Sequence, residues 1–111
     1  MSRINSNAKG KRGEREFANL CKKYGFGDAR RSQQYAGINN DADVVGLPGL
    51  HVEVKRVQAL NIDKAIDQTI RDKADDELGI VAHRKNNRPW LITMTFEDWM
   101  EIYKRYLLTL K

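Results

Sequence analysis

Cysteine occurs once in this 111-residue chain, at Cys21, and proline only twice. A lone cysteine excludes an internal disulfide and fits a reducing, cytoplasmic compartment. The two histidines, His51 and His83, stand apart, so no Cys/His cluster points to zinc. No apolar run approaches the ~18 residues that would span a membrane, and no membrane association is expected. Residues 1–15 are polar and basic and lack the apolar segment of a secretory signal. Internal repeats, linkers and low-complexity tracts are also missing. What remains is a chain with 41% hydrophobic residues, enough for one small domain around one core.

The net charge of +5 is unevenly spread. Residues 1–31 carry nine Lys/Arg against three acids, a surplus of +6, whereas residues 32–111 carry eleven against twelve. A basic excess confined to one end suits a polyanion, because neutralised phosphates release their counterions. The plainer reading, a solubilising tail, is open for the charge cluster taken alone. Lys9, Lys11, Arg12 and Arg15 are the candidate phosphate contacts.

Residues 1–9 read as a flexible basic tail and 10–111 as the domain. A helix is predicted from Gly10–Gly13 to Tyr24, with Phe17, Leu20, Cys21 and Tyr24 on its buried stripe. A short strand over 28–33 and a loop over 35–40 precede strands near 41–46 and 50–56, joined by Gly46-Leu47-Pro48-Gly49. A second helix over 62–76 takes Asn61 as N-cap, with Ile62, Ala65, Ile66, Thr69 and Ile70 facing inward. A buried strand over 78–82, a turn over 84–88 and a strand over 90–95 follow. Thr95 caps a last helix over 96–108, whose Phe96, Trp99, Tyr103, Tyr106 and Leu107 form an amphipathic face for the core or a dimer interface, with stacking on unpaired bases as the other use. The pattern is one α/β domain with a mixed sheet and helices packed against it.

The chemistry concentrates on His51-Val52-Glu53-Val54-Lys55. Strand alternation sends Val52 and Val54 to one face and Glu53 and Lys55 to the other, roughly 7 Å apart. A carboxylate and an ammonium on an otherwise apolar strand are costly unless something uses them; a surface ion pair on an edge strand is the alternative. A hairpin through Gly46–Gly49 brings Asp43 beside Glu53, and two carboxylates can hold a hard divalent cation while Lys55 adjoins the water it activates. Asp41 shares a strand face with Asp43, as auxiliary ligand or solvated neighbour. On the first helix Glu14 and Glu16 both flank the Phe17/Cys21 stripe, and spacing does not separate them.

Gly10-Lys11-Arg12-Gly13-Glu14-Arg15-Glu16-Phe17, Arg31-Ser32, Asp43-Val44-Val45-Gly46 and Val52-Glu53-Val54-Lys55 together resemble the PD-(D/E)xK nuclease superfamily. Within it, the pattern is similar to archaeal-type Holliday-junction resolvases and their small phage relatives. These motifs span residues 10–55, and the stretch from Ala82 to Leu91 also resembles the phage nucleases. Ala42 stands where the motif's proline would be, and Asp43 and Glu53 are only ten residues apart. The resemblance implies a restriction-endonuclease-like sheet of αβββαββα order. It implies Asp43, Glu53 and the Val54 carbonyl as metal ligands, and selects Glu14 as the helix carboxylate that orients water or a second metal. Lys55 would position the attacking water or stabilise phosphorane charge. Arg31 and Ser32, beside Arg30, would contact phosphate, and Gln68 is a polar group that reaches the site in relatives. It further implies a homodimer.

The expected function is a Mg²⁺-dependent endodeoxyribonuclease, with Mn²⁺ substituting, acting on branched DNA such as a four-way junction. Two alternatives stand beside it: a duplex- or single-strand-directed nickase of the same superfamily, and a non-catalytic DNA-binding module of the same fold.

Overall fold

The structure is a computed structural model that describes residues 6–32 and 42–110, with side chains described from Gly10 onward. The elements run α1 (Ser6–Lys23), β1 (Arg30–Arg31), β2 (Val44–Val45), β3 (Leu50–Arg56), α2 (Ile62–Asp72), β4 (Leu78–Arg84), β5 (Leu91–Thr93) and α3 (Phe96–Leu107). The five strands form one mixed sheet in the order β1-β2-β3-β4-β5. Only β3 and β4 pair in parallel, with α2 as the crossover between them; the other neighbours are antiparallel. No helix among the described residues is long and apolar enough to cross a membrane.

β3 runs through the middle of the sheet and is covered on both faces. Val52 and Val54, with Ile80 and Ala82 beside them on β4, pack against Phe17 and Ala18 of α1. His51 and Glu53 look the other way, toward the side covered by Ala65 and Thr69 of α2. Two glycines let the helices approach this closely. A Cβ on Gly13 would lie 2.6 Å from the Arg56 Cβ, and one on Gly79 would lie 2.4 Å from the Thr69 Cγ2.

Helix α1 starts at Ser6, four residues ahead of Gly10, so residues 6–9 continue the helix. The helix was expected to begin at Gly10–Gly13, but a helical glycine costs only about 1 kcal/mol, and Ala8, Lys9, Lys11 and Arg12 favour the helix on either side. Residues 1–5 and the expected loop over 35–40 lie outside the described residues. At its other end Tyr24 is 78% exposed and falls beyond the helix. Helix α2 ends at Asp72, four residues short of expectation. Its Lys73 cap is extended, and Ala74–Glu77 close a turn in which the Glu77 carboxylate accepts from the Ala74 N–H at 2.8 Å. A run of acids at a helix C-terminus opposes the dipole. Both expected caps are present: Asn61 accepts from the Lys64 N–H and Thr95 from the Asp98 N–H. Strand β4 extends to Arg84 and β5 shrinks to Leu91–Thr93.

Of the apolar positions expected to face inward on α2, one does not, and the α3 face, expected to serve the core or a dimer interface, does not serve the core. Ile70 is exposed, leaving Ala65 and Thr69 as the buried contacts of α2. Helix α3 buries none of its residues; Phe96, Trp99, Tyr103, Tyr106 and Leu107 all meet solvent. The helix is tied to the sheet at its start, where Asp98 accepts from the Gly79 N–H at 2.9 Å. Trp90, by contrast, is partly buried against Phe17, ring centroids 5.2 Å apart.

The two α1 glycines should respond oppositely to alanine. Gly10→Ala meets open space and should gain about 0.5–1 kcal/mol in urea unfolding. Gly13→Ala must push Arg56 aside and should lose about 1–3 kcal/mol. Equal effects would show that α1 does not lean on β3 at Gly13.

Candidate active site

Glu53 is 1% exposed in the centre of the sheet, the largest fully buried side chain of the described residues. A carboxylate in that position needs partners. One is His51, two residues back on the same face, whose Nε2 lies 2.7 Å from Glu53 Oε1. The carboxylate raises the His51 imidazole pKa above its ordinary value against the opposing effect of burial. Strand alternation already puts His51 on the Glu53 face, with a metal or base role not expected of it; what the structure adds is its direct contact with Glu53.

The tight turn after β2 supplies the second neighbour. Gly46 and Gly49 both take positive φ, and a Cβ on Gly46 would collide with the Asp28 carbonyl, 2.1 Å away. Val44 is thereby paired with Val52, and the Asp43 N–H donates to the Val52 carbonyl at 2.8 Å. Asp43 Oδ2 accepts from the Val54 N–H at 2.9 Å. Backbone groups two residues apart on a strand face the same edge, so the Val54 carbonyl faces the same side as the Val52 carbonyl.

Asp43 is pushed up to about 7, first by burial, then by the charge of Glu53, with Glu14 adding to the effect; the Val54 N–H pulls the other way. Three acids therefore share one field. Glu14 is the α1 carboxylate on this side, where Arg31 Nε donates to its Oε2 at 2.5 Å. Glu16 belongs to a different cluster: it accepts from Trp90 Nε1 at 3.1 Å, pairs with Arg84 and lies 3.6 Å from Arg56 Nε. Contacts separate the two acids that helical spacing left equivalent.

Lys55 shares the Glu53 face, and its Nζ reaches Gln68 Oε1 on α2 at 3.4 Å. Ser32 adjoins Asp43 through its N–H, which donates to the Asp43 carbonyl at 3.0 Å. The structure thus gathers Glu14, Arg31, Ser32, Asp43, Glu53, Val54, Lys55 and Gln68. Arg30 stands apart, exposed, with Nη1 on the Asp28 carbonyl; alternation along β1 turns it away from Arg31. Lys11, Arg12 and Arg15 are exposed along α1. Asp41 and the Lys9 side chain lie outside the described residues.

Among the described residues no three or more His, Cys, Asp or Glu side chains close around one point as a ready metal cage. The donor set nonetheless suits a hard cation that keeps much of its water, since Mg²⁺ commonly takes only one or two carboxylates. Asp43 and Glu53 are adjacent, mutually repelling and oxygen-bearing, and a divalent cation would relieve the strain that holds Asp43 near 7. No family model, curated protein or solved structure matches this chain.

A pH dependence follows. Asp43 binds its proton more tightly in the folded chain than at its ordinary value of 3.8, so its contribution is fully present below about pH 4 and is lost as pH rises through about 7. In EDTA, Asp43→Asn should melt several degrees above the native chain at pH 8, and the gap should close toward pH 4. A constant gap across that range would assign the effect to something other than the Asp43 proton.

Proposed function

We propose that the protein is a Mg²⁺-dependent endodeoxyribonuclease of the PD-(D/E)xK type, with a restriction-endonuclease-like fold, acting on branched DNA. The observation that carries the reading is the convergence of Asp43 and Glu53, contiguous with Lys55, on a strand buried on both faces. A binding module gains nothing from clustered carboxylates where a phosphate must approach. The helix–three strands–helix–two strands–helix order supports the fold assignment.

A divalent cation held by Asp43, Glu53 and the Val54 carbonyl would supply Lewis acidity toward the phosphoryl oxygen and lower the pKa of a water nucleophile; Mn²⁺ is expected to substitute. The chain's own residues then divide the remaining work. His51 holds one Glu53 oxygen, and the Val54 N–H holds one Asp43 oxygen, so both carboxylates are oriented before substrate arrives. Lys55, steadied by Gln68, places a positive charge where negative charge grows in the transition state. Arg31 adds a second charge from β1, and Glu14 keeps that guanidinium aimed at the site.

Cleavage of a labelled immobile four-way junction and of a linear duplex tests the reading. Paired symmetric nicks in the junction with Mg²⁺, absent in EDTA, are expected, with little cutting of duplex. Asp43→Asn should abolish cutting and retain or tighten DNA binding. Lys55→Ala should slow cutting by about 10²–10³-fold. Equal cutting of duplex would replace the junction preference with a nickase activity, and binding without cutting of either would leave the non-catalytic module.

Junction cleavage by paired nicks requires two sites, and α3 is the surface for a second copy. Its exposed aromatic side is flanked by Glu97, Asp98 and Glu101 in the first half and by Lys104 and Arg105 in the second. Antiparallel pairing about a two-fold axis sets each acidic half against a basic one. Sedimentation should give twice the 12.8 kDa chain mass, and Trp99→Glu should return it to one; a native monomer would remove the α3 dimer.

A further inference from the structure

The parallel register of β3 and β4 gives the molecule two ends of opposite charge. Where these strands finish lie Arg56, Arg84, Lys85 and Arg88; where β4 begins lie Asp72, Asp75, Asp76 and Glu77. Lys55 is level with His83, near the basic end. Lys85 stands two residues beyond that row, about 7 Å further along the sheet.

The turn between β4 and β5 is a fixed object. Arg56 Nη1 donates to Asn86 Oδ1 at 2.8 Å, the Asn86 N–H donates to the Gln58 side chain, and Arg84 Nε donates to the Arg88 carbonyl. Asn87 takes the left-handed conformation that closes the turn, φ 61°. Arg56 and Arg84 are also neutralised in part by Glu16. The Lys85 and Arg88 side chains are different: both are exposed and neither enters a hydrogen bond or ion pair among the described residues. They rim a groove of about 490 Å³ whose lining includes His83, Leu60 and Leu91. Two unneutralised cations on a pinned turn, beside a groove that starts one strand over from Lys55, suit a polyanion running away from the site.

We infer that the β4–β5 turn is a second nucleic-acid contact, in which Lys85 and Arg88 hold the sugar–phosphate backbone about two phosphates from the bond next to Lys55. The inference rests on the nucleic-acid reading of the site, but not on cleavage. It supplies a binding element at the far end of the sequence from the basic N-terminal cluster.

Binding of a fluorescein-labelled duplex, followed by anisotropy in EDTA over about 0.05–0.3 M salt, tests it without any cutting. The double variant Lys85→Ala/Arg88→Ala should weaken binding about tenfold near 0.1 M salt and lower the slope of log affinity against log salt by about 2, with each single variant lowering it by about 1. Lys64→Ala/Arg71→Ala, two exposed cations on α2, should leave the slope unchanged. An unchanged slope in the double variant, an equal drop in the α2 control, or a native chain that does not bind the duplex would overturn the assignment. The junction-cleavage assay decides the nuclease reading separately. A changed slope with no cleavage keeps this contact and removes the catalysis, whereas cleavage with an unchanged slope does the reverse.

Discussion

The burial of Glu53 is the constraint on which the rest of the structure depends. A carboxylate in the centre of a sheet loses its hydration, and only specific neighbours restore what was lost. His51 supplies a ring nitrogen from the same strand face. Asp43, its other neighbour, makes matters worse, since burial and then the charge of Glu53 raise the proton affinity of Asp43. Val52 and Val54 on the opposite face anchor the strand in the α1 core, so β3 cannot turn to release the acid. Apolar packing on one face thus holds an unfavourable charge arrangement on the other. Such local disfavour is what a binding site for a cation or a transition state requires.

The helices serve that arrangement unequally. α1 approaches β3 through Gly13 and carries Glu14 toward the carboxylates and Glu16 toward a separate arginine cluster. α2 closes the Glu53 face with small residues, Ala65 and Thr69, and lends Gln68 to Lys55. α3 contributes almost nothing to the core and holds to the sheet at its first turn. The first two helices build the site, while the third presents a surface.

Much of this was legible in the residues. The β3 boundaries, the Asn61 and Thr95 caps and the approach of Asp43 to Glu53 follow from alternation, cap chemistry and glycine placement, all of which are local rules. What was not legible depends on spatial partners. Position 13 must be glycine because Arg56 leaves no room for a Cβ, and nothing near Gly13 in the chain announces Arg56. Glu14 and Glu16 are equivalent until Arg31 and Arg84 arrive from distant strands. The periodicity of α3 reports that a face is apolar without reporting whether this chain covers it. The turn over 84–88 reads as polar punctuation until the β3 register sets it beside Lys55.

The connection between β2 and β3 has a further consequence. Side chains alternate at every residue, so a one-residue shift in pairing would send Glu53 to the α1 face and a valine to the other. Gly46 is already closed against the Asp28 backbone and leaves no slack to absorb an insertion. Over evolutionary time, insertions and deletions should therefore be purged from residues 44–52, even where the hydrophobic pattern would survive them. Length, rather than identity, is the conserved quantity expected of that segment.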